Sequence, residues 1–271
     1  MRIAFLGGGN MAGALIGGLV AKGHGAQDIS VIELAQGARE QLAARYGVTV
    51  GAGPDAATAA ADTLVLAVKP QDLRAAVQPL AALATEKLVI SVAAGVRLAD
   101  LARWLGGHRR LVRAMPNMPA LIGAGISALY ALPEVGEQER QRAQEILGAV
   151  GEAVWVQDEA LLDPVTAVSG SGPAYVFWFI EQLGRSGEAL GLAPETARRL
   201  AVETVLGAAK LAAQSAEAPA VLRERVTSKG GTTEAALRVF AEERLAERFA
   251  RAVAAASERG RELGRMLGED R

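Results

Sequence analysis

The sequence predicts an α/β protein in which an N-terminal doubly wound, parallel sheet is followed by a half built only of helices. Two observations carry this. Up to Val156, short apolar runs alternate with stretches of helical spacing. Near-continuous apolar strands between helices mark a parallel sheet buried on both faces. After Gln157 the strand signal stops, and Pro173, Pro194 and Pro219 open successive helical stretches. Proline is tolerated there because the first turn of a helix leaves its N–H groups unpaired anyway. The predicted domains are residues 1–157 and 158–271.

Each element has its own reason. Arg2–Leu6 is an apolar run ending in glycines, hence a buried strand, and Met11–Lys22 follows with helical spacing. Ile29–Glu33 and Val48–Val50 read as strands around a polar-faced helix, Gly37–Tyr46. Alanine-rich Asp55–Ala61 reads as a helix, Thr63–Val68 as a strand and Gln71–Leu83 as a helix. Leu88–Val92, Leu98–Leu105 and Leu111–Ala114 continue the alternation. Ile126–Ala131 and Ala153–Val156 are further strands, flanking a helix over Val135–Val150. The second half predicts helices over Pro173–Leu190, Pro194–Gln214, Pro219–Val226, Thr233–Phe240 and Leu245–Leu267.

Composition narrows the function. With 51% hydrophobic and 22% charged residues the chain can build a sizeable core. Lys+Arg 29 against Asp+Glu 30 makes neither a nucleic-acid platform nor an acidic tail. The absence of cysteine excludes disulfides, thiolate metal sites and a thiol nucleophile, and the cytoplasm is the simplest compartment. No metal-ligand pattern stands out. Apolar runs stay far below the roughly 20 residues of a membrane span. Gly7-Gly8-Gly9-Asn10 interrupts the N-terminal run before a signal sequence could form.

The strongest motif is Gly7-Gly8-Gly9-Asn10-Met11-Ala12, a G-x-G-x-x-A turn between a predicted strand and a predicted helix. That context makes it a Rossmann-type dinucleotide fingerprint. Gly7 allows the tight turn, Gly9 lets a pyrophosphate approach the backbone, and N–H groups at the helix start bind phosphate. Glu33 ends the second strand, roughly 20 residues on, where an acid bonds the adenosine ribose. A carboxylate there repels a 2′-phosphate and favours NAD over NADP, while Arg39 or Arg45 could still assist a phosphate. The alternative is a solvated Glu at a strand end.

Three other strand ends carry small or polar residues: Ala67-Val68-Lys69-Pro70, Ala93-Ala94-Gly95 and Asn117 between two prolines. Ligands of doubly wound sheets bind beyond the carboxyl ends of strands. In the helical half, Ser169-Gly170-Ser171-Gly172-Pro173 opens a helix and offers N–H groups to an anion. It does not match the hydrolase elbow, and His24 and His108 lie in no motif, which argues against a Ser-His-Asp hydrolase. Ser228-Lys229-Gly230-Gly231-Thr232-Thr233 joins two helices. Either its hydroxyls and N–H groups hold a small carboxylate, or Thr232 or Thr233 simply caps the next helix.

With these blocks in view, the whole chain resembles the pyrroline-5-carboxylate reductases. The resemblance rests on Phe5–Ala12, Ala67–Pro70, Ser91–Gly95, Arg113–Pro119, Ala167–Tyr175 and Val226–Thr233, the last two being the most specific. It implies reduction of 1-pyrroline-5-carboxylate to L-proline by NADPH or NADH, the last step of proline biosynthesis. It implies a helical dimerisation domain whose helices interlock with those of a second subunit, and possible assembly of dimers. Thr233 and Ser228 then occupy the catalytic position, with Ser228, Gly230, Gly231, Thr232 and Thr233 binding substrate. The coenzyme falls to Gly7, Gly8, Gly9, Asn10, Met11, Glu33, Ala67, Val68, Lys69, Pro70, Ala93, Ala94, Gly95 and Asn117. Two departures stand out: Lys229 replaces a proline common in the family, and Glu33 stands where many relatives carry small or hydroxyl residues.

The chemistry suits such a site. A cyclic iminium arrives activated, so position rather than a strong acid, metal or covalent nucleophile is what the enzyme must supply. A β-hydroxyacid dehydrogenase needs a catalytic Lys on the first long helix of its second domain, and Tyr175–Gln182 has none. A non-catalytic nucleotide sensor shares the fold but gives no reason for the Ser228–Thr233 loop. Aromatic Tyr175–Ile180 and small residues Gly207, Ala208, Ala209, Ala212 and Ala213 suit helices that close on a partner.

Overall fold

Eight strands form one sheet in the computed structural model, which describes residues 1–269. They are β1 (Ile3–Leu6), β2 (Ile29–Ile32), β3 (Thr49–Gly51), β4 (Thr63–Leu66), β5 (Leu88–Ser91), β6 (Leu111–Met115), β7 (Gly125–Ala131) and β8 (Gly151–Trp155). Their spatial order is β3-β2-β1-β4-β5-β6-β7-β8. The first six are parallel neighbours. The strand order reverses between β1 and β4, the switch point at which doubly wound sheets hold ligands.

The helices of this part are α1 (Asn10–Ala21), α2 (Gln36–Tyr46), α3 (Ala56–Ala60), α4 (Pro70–Val77), α5 (Ala81–Ala84), α6 (Leu98–Trp104), α7 (Glu137–Gly148) and α8 (Leu162–Val165). Strand alternation sorts their partners. Ile3, Phe5, Val65, Leu88 and Ile90 face one apolar layer with Leu15 and Ile16 of α1 and Ile146 of α7. Ala4, Leu6, Leu64, Leu66 and Val89 face the other, with Leu73 of α4 and Leu98 and Leu101 of α6. Each fully buried Leu or Ile contributes roughly 1.5–3 kcal/mol, so these layers hold the sheet.

Within the sheet and its covering helices, the structure departs from the sequence reading at one helix and one strand. The helix expected over Gln71–Leu83 is broken into α4, a 3₁₀ turn at Gln78–Leu80 and α5. Pro79 lies in that turn and has no N–H to continue an α-helical ladder. The sheet is not wholly parallel either, because β7 runs antiparallel to β6. Only a short 3₁₀ segment, Met118–Ile122, links them, whereas a parallel crossover takes a dozen residues or more. The longer path through α7 returns β8 parallel to β7.

The remaining helices are α9 (Gly172–Ala189), α10 (Pro194–Gln214), α11 (Pro219–Arg225), α12 (Thr232–Glu242) and α13 (Leu245–Gly268). Contacts divide the chain into one unit of Met1–Ser171 with Ala256 onward, and a second of Gly172–Ala255. The sequence places its boundary near Gln157 and assigns all of α13 to the helical half. In the second unit α9 and α10 run along each other, joined through Gly191 at φ +96°. Tyr175 meets Phe249 edge-on at 6.0 Å between ring centres. Beside them, Val176, Trp178, Phe179 and Phe240 line an apolar groove of about 940 Å³. None of the described helices is long and apolar enough to cross a membrane.

Candidate functional site

The glycine turn stands at the switch point. The Gly7 N–H donates to the Ile32 carbonyl and the Ala67 N–H to that of Leu6, so the ends of β1, β2 and β4 are stitched together there. Gly7 has φ +95°, and a Cβ on it would lie 2.8 Å from the Ala67 carbonyl oxygen, so no other residue fits without strain. Gly9 is the opposite case, exposed and with nothing within 4 Å of where a Cβ would stand. It is also the N-cap of α1, with no side chain on the first-turn N–H groups. An open approach to unpaired N–H groups is what a pyrophosphate requires, so these residues fit a dinucleotide. Ala12 is fully buried beneath the turn, and Asn10 and Met11 begin the helix.

Glu33 follows β2 and is tied to this turn. Its Oε2 accepts the Gly8 N–H at 2.8 Å and its Oε1 the Ala35 N–H at 2.8 Å. The carboxylate is thus fixed beside the glycine cradle by backbone donors. Arg39 donates to the Glu33 and Leu34 carbonyls at 2.8 and 2.7 Å, while Arg45 lies over the Tyr46 ring. Of the two arginines open to a phosphate-binding role in the sequence, Arg39 is the one beside Glu33.

Lys69 is the exposed N-cap of α4 and Pro70 its first residue, with Ala67 and Val68 half-buried behind them. Ala93 is buried, Ala94 exposed, and Gly95 takes φ +81°. Pro70, Ala94 and Gly95 converge on one cavity of about 640 Å³, whose other walls include Trp104, Leu263 and Met266. A larger hollow of about 920 Å³ lies beside Met1, His24 and Gly151, toward the amino ends of the strands, and includes none of the predicted site residues. Doubly wound sheets bind their ligands at the other end. Asn117 is 9% exposed with both side-chain polar atoms engaged. Its Oδ1 accepts the Ile126 N–H at 3.0 Å and its Nδ2 donates to the Ser169 carbonyl at 3.2 Å. It braces the turn after β6.

In the second unit, the Ser228–Thr233 loop leads into α12. Gly230 takes φ +71°, and the Gly231 N–H donates to the Ser228 carbonyl at 3.0 Å. The Gly230 N–H donates to Glu234 Oε2 at 2.6 Å. The N-cap of α12 is Gly231, with no side-chain cap, and Thr232 and Thr233 are its first two residues. Neither threonine hydroxyl is spent as the helix cap. Ser228 and Lys229 are exposed and Thr233 half-buried.

A cluster that sequence reasoning passed over lies behind the ends of β5 and β6. Arg113 on β6 is 2% exposed. It pairs with Glu159 at 3.1 Å and Asp163 at 3.8 Å. Arg97, the N-cap of α6, donates to Asp163 at 2.6 Å, and Glu159 also accepts the Leu98 N–H at 2.8 Å. Burial lowers the pKa of the Arg113 guanidinium, and Glu159 and Asp163 oppose that shift. The signal in the sequence was an arginine inside an apolar strand, Leu111–Met115.

Comparison with known proteins places this geometry. Residues 159–263 match the model for pyrroline-5-carboxylate reductase dimerisation, and residues 2–95 that for NADP oxidoreductase, coenzyme F420-dependent. A pyrroline-5-carboxylate reductase of Pseudomonas aeruginosa is 47% identical over 99% of this chain and 98% of its own. One from Vibrio alginolyticus is 40% identical over 98% of both. Among solved structures, a pyrroline-5-carboxylate reductase from Coxiella burnetii superposes with TM-score 0.92 at 39% identity, covering 97% of this chain and 98% of that one. The Plasmodium falciparum pyrroline carboxylate reductase with NADP bound gives TM-score 0.85 at 25% identity, with the same coverage.

Proposed function

The chain belongs to the pyrroline-5-carboxylate reductase family, and we propose from this premise that residues 1–157 hold the coenzyme and residues 158–271 the substrate and the dimer contact. It is an NAD(P)H-dependent oxidoreductase that reduces the C=N bond of 1-pyrroline-5-carboxylate to give L-proline, the last step of proline biosynthesis. The observation that carries the reading is the open approach over Gly9 at the switch point, in a chain that also carries the Ser228–Thr233 loop.

Bound coenzyme supplies the hydride. Everything else is placement by the chain. The N–H groups of Gly9 through Met11 hold the pyrophosphate, while Gly8 gives its N–H to Glu33 and keeps the turn in place. Glu33 accepts from ribose hydroxyls and turns the choice of coenzyme toward NADH. Ala67–Pro70 and Ala93–Gly95 wall the cleft, and Asn117 fixes the turn beside it. Gly230 and Gly231, their N–H groups spent on Glu234 and on the Ser228 carbonyl, shape the loop, while the Thr232 N–H and the Ser228 hydroxyl hold the substrate carboxylate and Lys229 adds a cation near it. The Thr233 hydroxyl hydrogen-bonds the ring nitrogen. An iminium arrives protonated, so this nitrogen needs orientation more than an acid.

The working form in this reading is a homodimer in the cytoplasm. Phe177, Trp178 and Phe179 are 54%, 58% and 47% exposed on one helix, an apolar surface that a second copy covers. A cysteine-free chain suits a reducing compartment. The test is steady-state oxidation of NADPH and of NADH, with and without pyrroline-5-carboxylate. Oxidation that depends on the imine is expected. A folded protein that binds either coenzyme yet oxidises neither would overturn the reading.

A further inference from the structure

Glu159 and Asp163 each bridge the same two structures. Glu159 Oε1 accepts from the Leu98 N–H, just past the Gly95 loop, and from Arg113, just before the Asn117 turn. Asp163 does the same through Arg97 at 2.6 Å and Arg113 at 3.8 Å. Asp163 and Arg113 are both 2% exposed. Two cations face two anions, so the cluster is neutral as a whole. Further along the same segment, Asn117 holds the Ser169 carbonyl, and a Cβ on Gly170 would meet the Met115 methyl at 2.6 Å. Residues 159–170 therefore run as a strap along the end of β6, tied at four points. From another side, a Cβ at Gly264 of α13 would lie 2.9 Å from the Gly95 carbonyl oxygen, so α13 packs directly on that loop.

We propose that Asp163 and Glu159 are positioning residues for hydride transfer, which hold the Gly95 loop and the Asn117 turn at a fixed separation behind the reactive end of the coenzyme. This rests on the reductase reading above. The physical reason is that a hydride moves only across a narrow range of distance and angle. The end of β5 is made of small residues, Ala93, Ala94 and Gly95, which cannot fix that geometry by their own side chains. A buried salt-bridged cluster with charges in balance resists shear between the elements it joins, because separating one partner leaves an uncompensated buried charge. The glycine cradle at Gly7–Gly9 lies on another strand and makes none of these contacts. Coenzyme affinity and hydride-transfer rate are therefore separable.

The experiment compares wild type with Asp163→Asn, which keeps the shape and removes the charge. Arg97→Lys, altering the partly exposed member, is the second variant should Asp163→Asn fail to fold. In the coenzyme-free protein, amide hydrogen exchange over residues 92–98 and 115–120 should quicken about tenfold while β1 and β4 stay protected. The Kd for NADH, read by fluorescence, should stay within about threefold. With coenzyme deuterated at the transferred position, kcat should fall about tenfold and its isotope effect should rise. If a folded variant loses only Tm, with exchange, kcat and isotope effect those of wild type, the cluster is structural and the inference is overturned. If the wild type lacks imine-dependent oxidation, the reductase reading fails instead, while the exchange result still reports on the strap.

Discussion

Replacing Glu33 by Gln tests how the coenzyme is chosen. Glu33 cannot swing aside cheaply, since Gly8 and Ala35 each donate an N–H to it at 2.8 Å. The partly buried bond, charge-assisted, is worth about 1.5–3 kcal/mol and the exposed one less. The fixed charge faces any phosphate on the adenosine ribose. Two unit charges about 5 Å apart at an effective dielectric near 40 repel by about 1.7 kcal/mol, and a phosphate near −2 by roughly twice that. Arg39, on the adjoining carbonyls, offsets part of this. The expected result is a preference for NADH of about 10- to 100-fold in kcat/KM. Gln keeps an acceptor for the Gly8 N–H and removes the charge. Glu33→Gln should therefore raise kcat/KM for NADPH about tenfold and change that for NADH less than about threefold. The assay is initial-rate oxidation of each coenzyme at saturating pyrroline-5-carboxylate. An NADPH:NADH ratio that Glu33→Gln leaves unmoved, or a wild type that already prefers NADPH, refutes the reasoning.

Two further outcomes are expected. Thr233→Ala should lower kcat/KM for the imine about 10- to 100-fold, on the scale of one lost hydrogen bond in an active site, with the Kd for coenzyme unchanged; equal activity in the variant removes Thr233 from the mechanism. Asp55 caps α3, its carboxylate accepting the Thr58 N–H at 2.8 Å and the Thr58 hydroxyl at 2.9 Å. The Thr58 N–H leads the interactions that hold its pKa below the usual carboxylate value. A depressed folded pKa gives stability that is present above the unfolded pKa and lost as pH falls through the folded one. Asp55→Ala should cost about 0.5–1 kcal/mol at neutral pH. Melting curves of the two proteins should converge below about pH 4, and a constant gap down to pH 2 would show that the charge is irrelevant.

What the sequence made legible follows from the range of the interactions involved. The β1 strand, the Gly7 turn and the α1 helix are set by neighbours within a few residues, and the glycine cradle stands where the motif puts it. The near-continuous apolar runs Ile3–Leu6 and Thr63–Leu66, buried at every residue, are equally local. The direction of β7 was not legible from its own residues, because it is fixed by how short the link from Met115 to Gly125 is. The role of Asn117 was hidden for the same reason, since its partner Ser169 is 52 residues away. Glu159 and Asp163 belong to no sequence motif, and only the packed structure brings Arg97 and Arg113 to them. The choice between a capping and a free role for Thr232 and Thr233 turned on a single backbone position, with Gly231 taking the N-cap.

The last helix has a consequence for how the protein is made. The Gly95 loop rests against Gly264, and Leu263, Met266 and Leu267 help wall the cavity beside it. Gly264 and these three residues leave the ribosome after every strand of the sheet. At about 5–20 residues per second, several seconds separate synthesis of Ser171 from that of Ala256. The eight strands are complete before that interval begins, yet one wall of their carboxyl end is still missing. A nascent sheet can gather its two apolar layers early, but the floor under Gly95 closes only once the last turns of α13 have emerged. A message truncated in the final helix therefore yields a protein with an intact glycine cradle and an unfinished cleft.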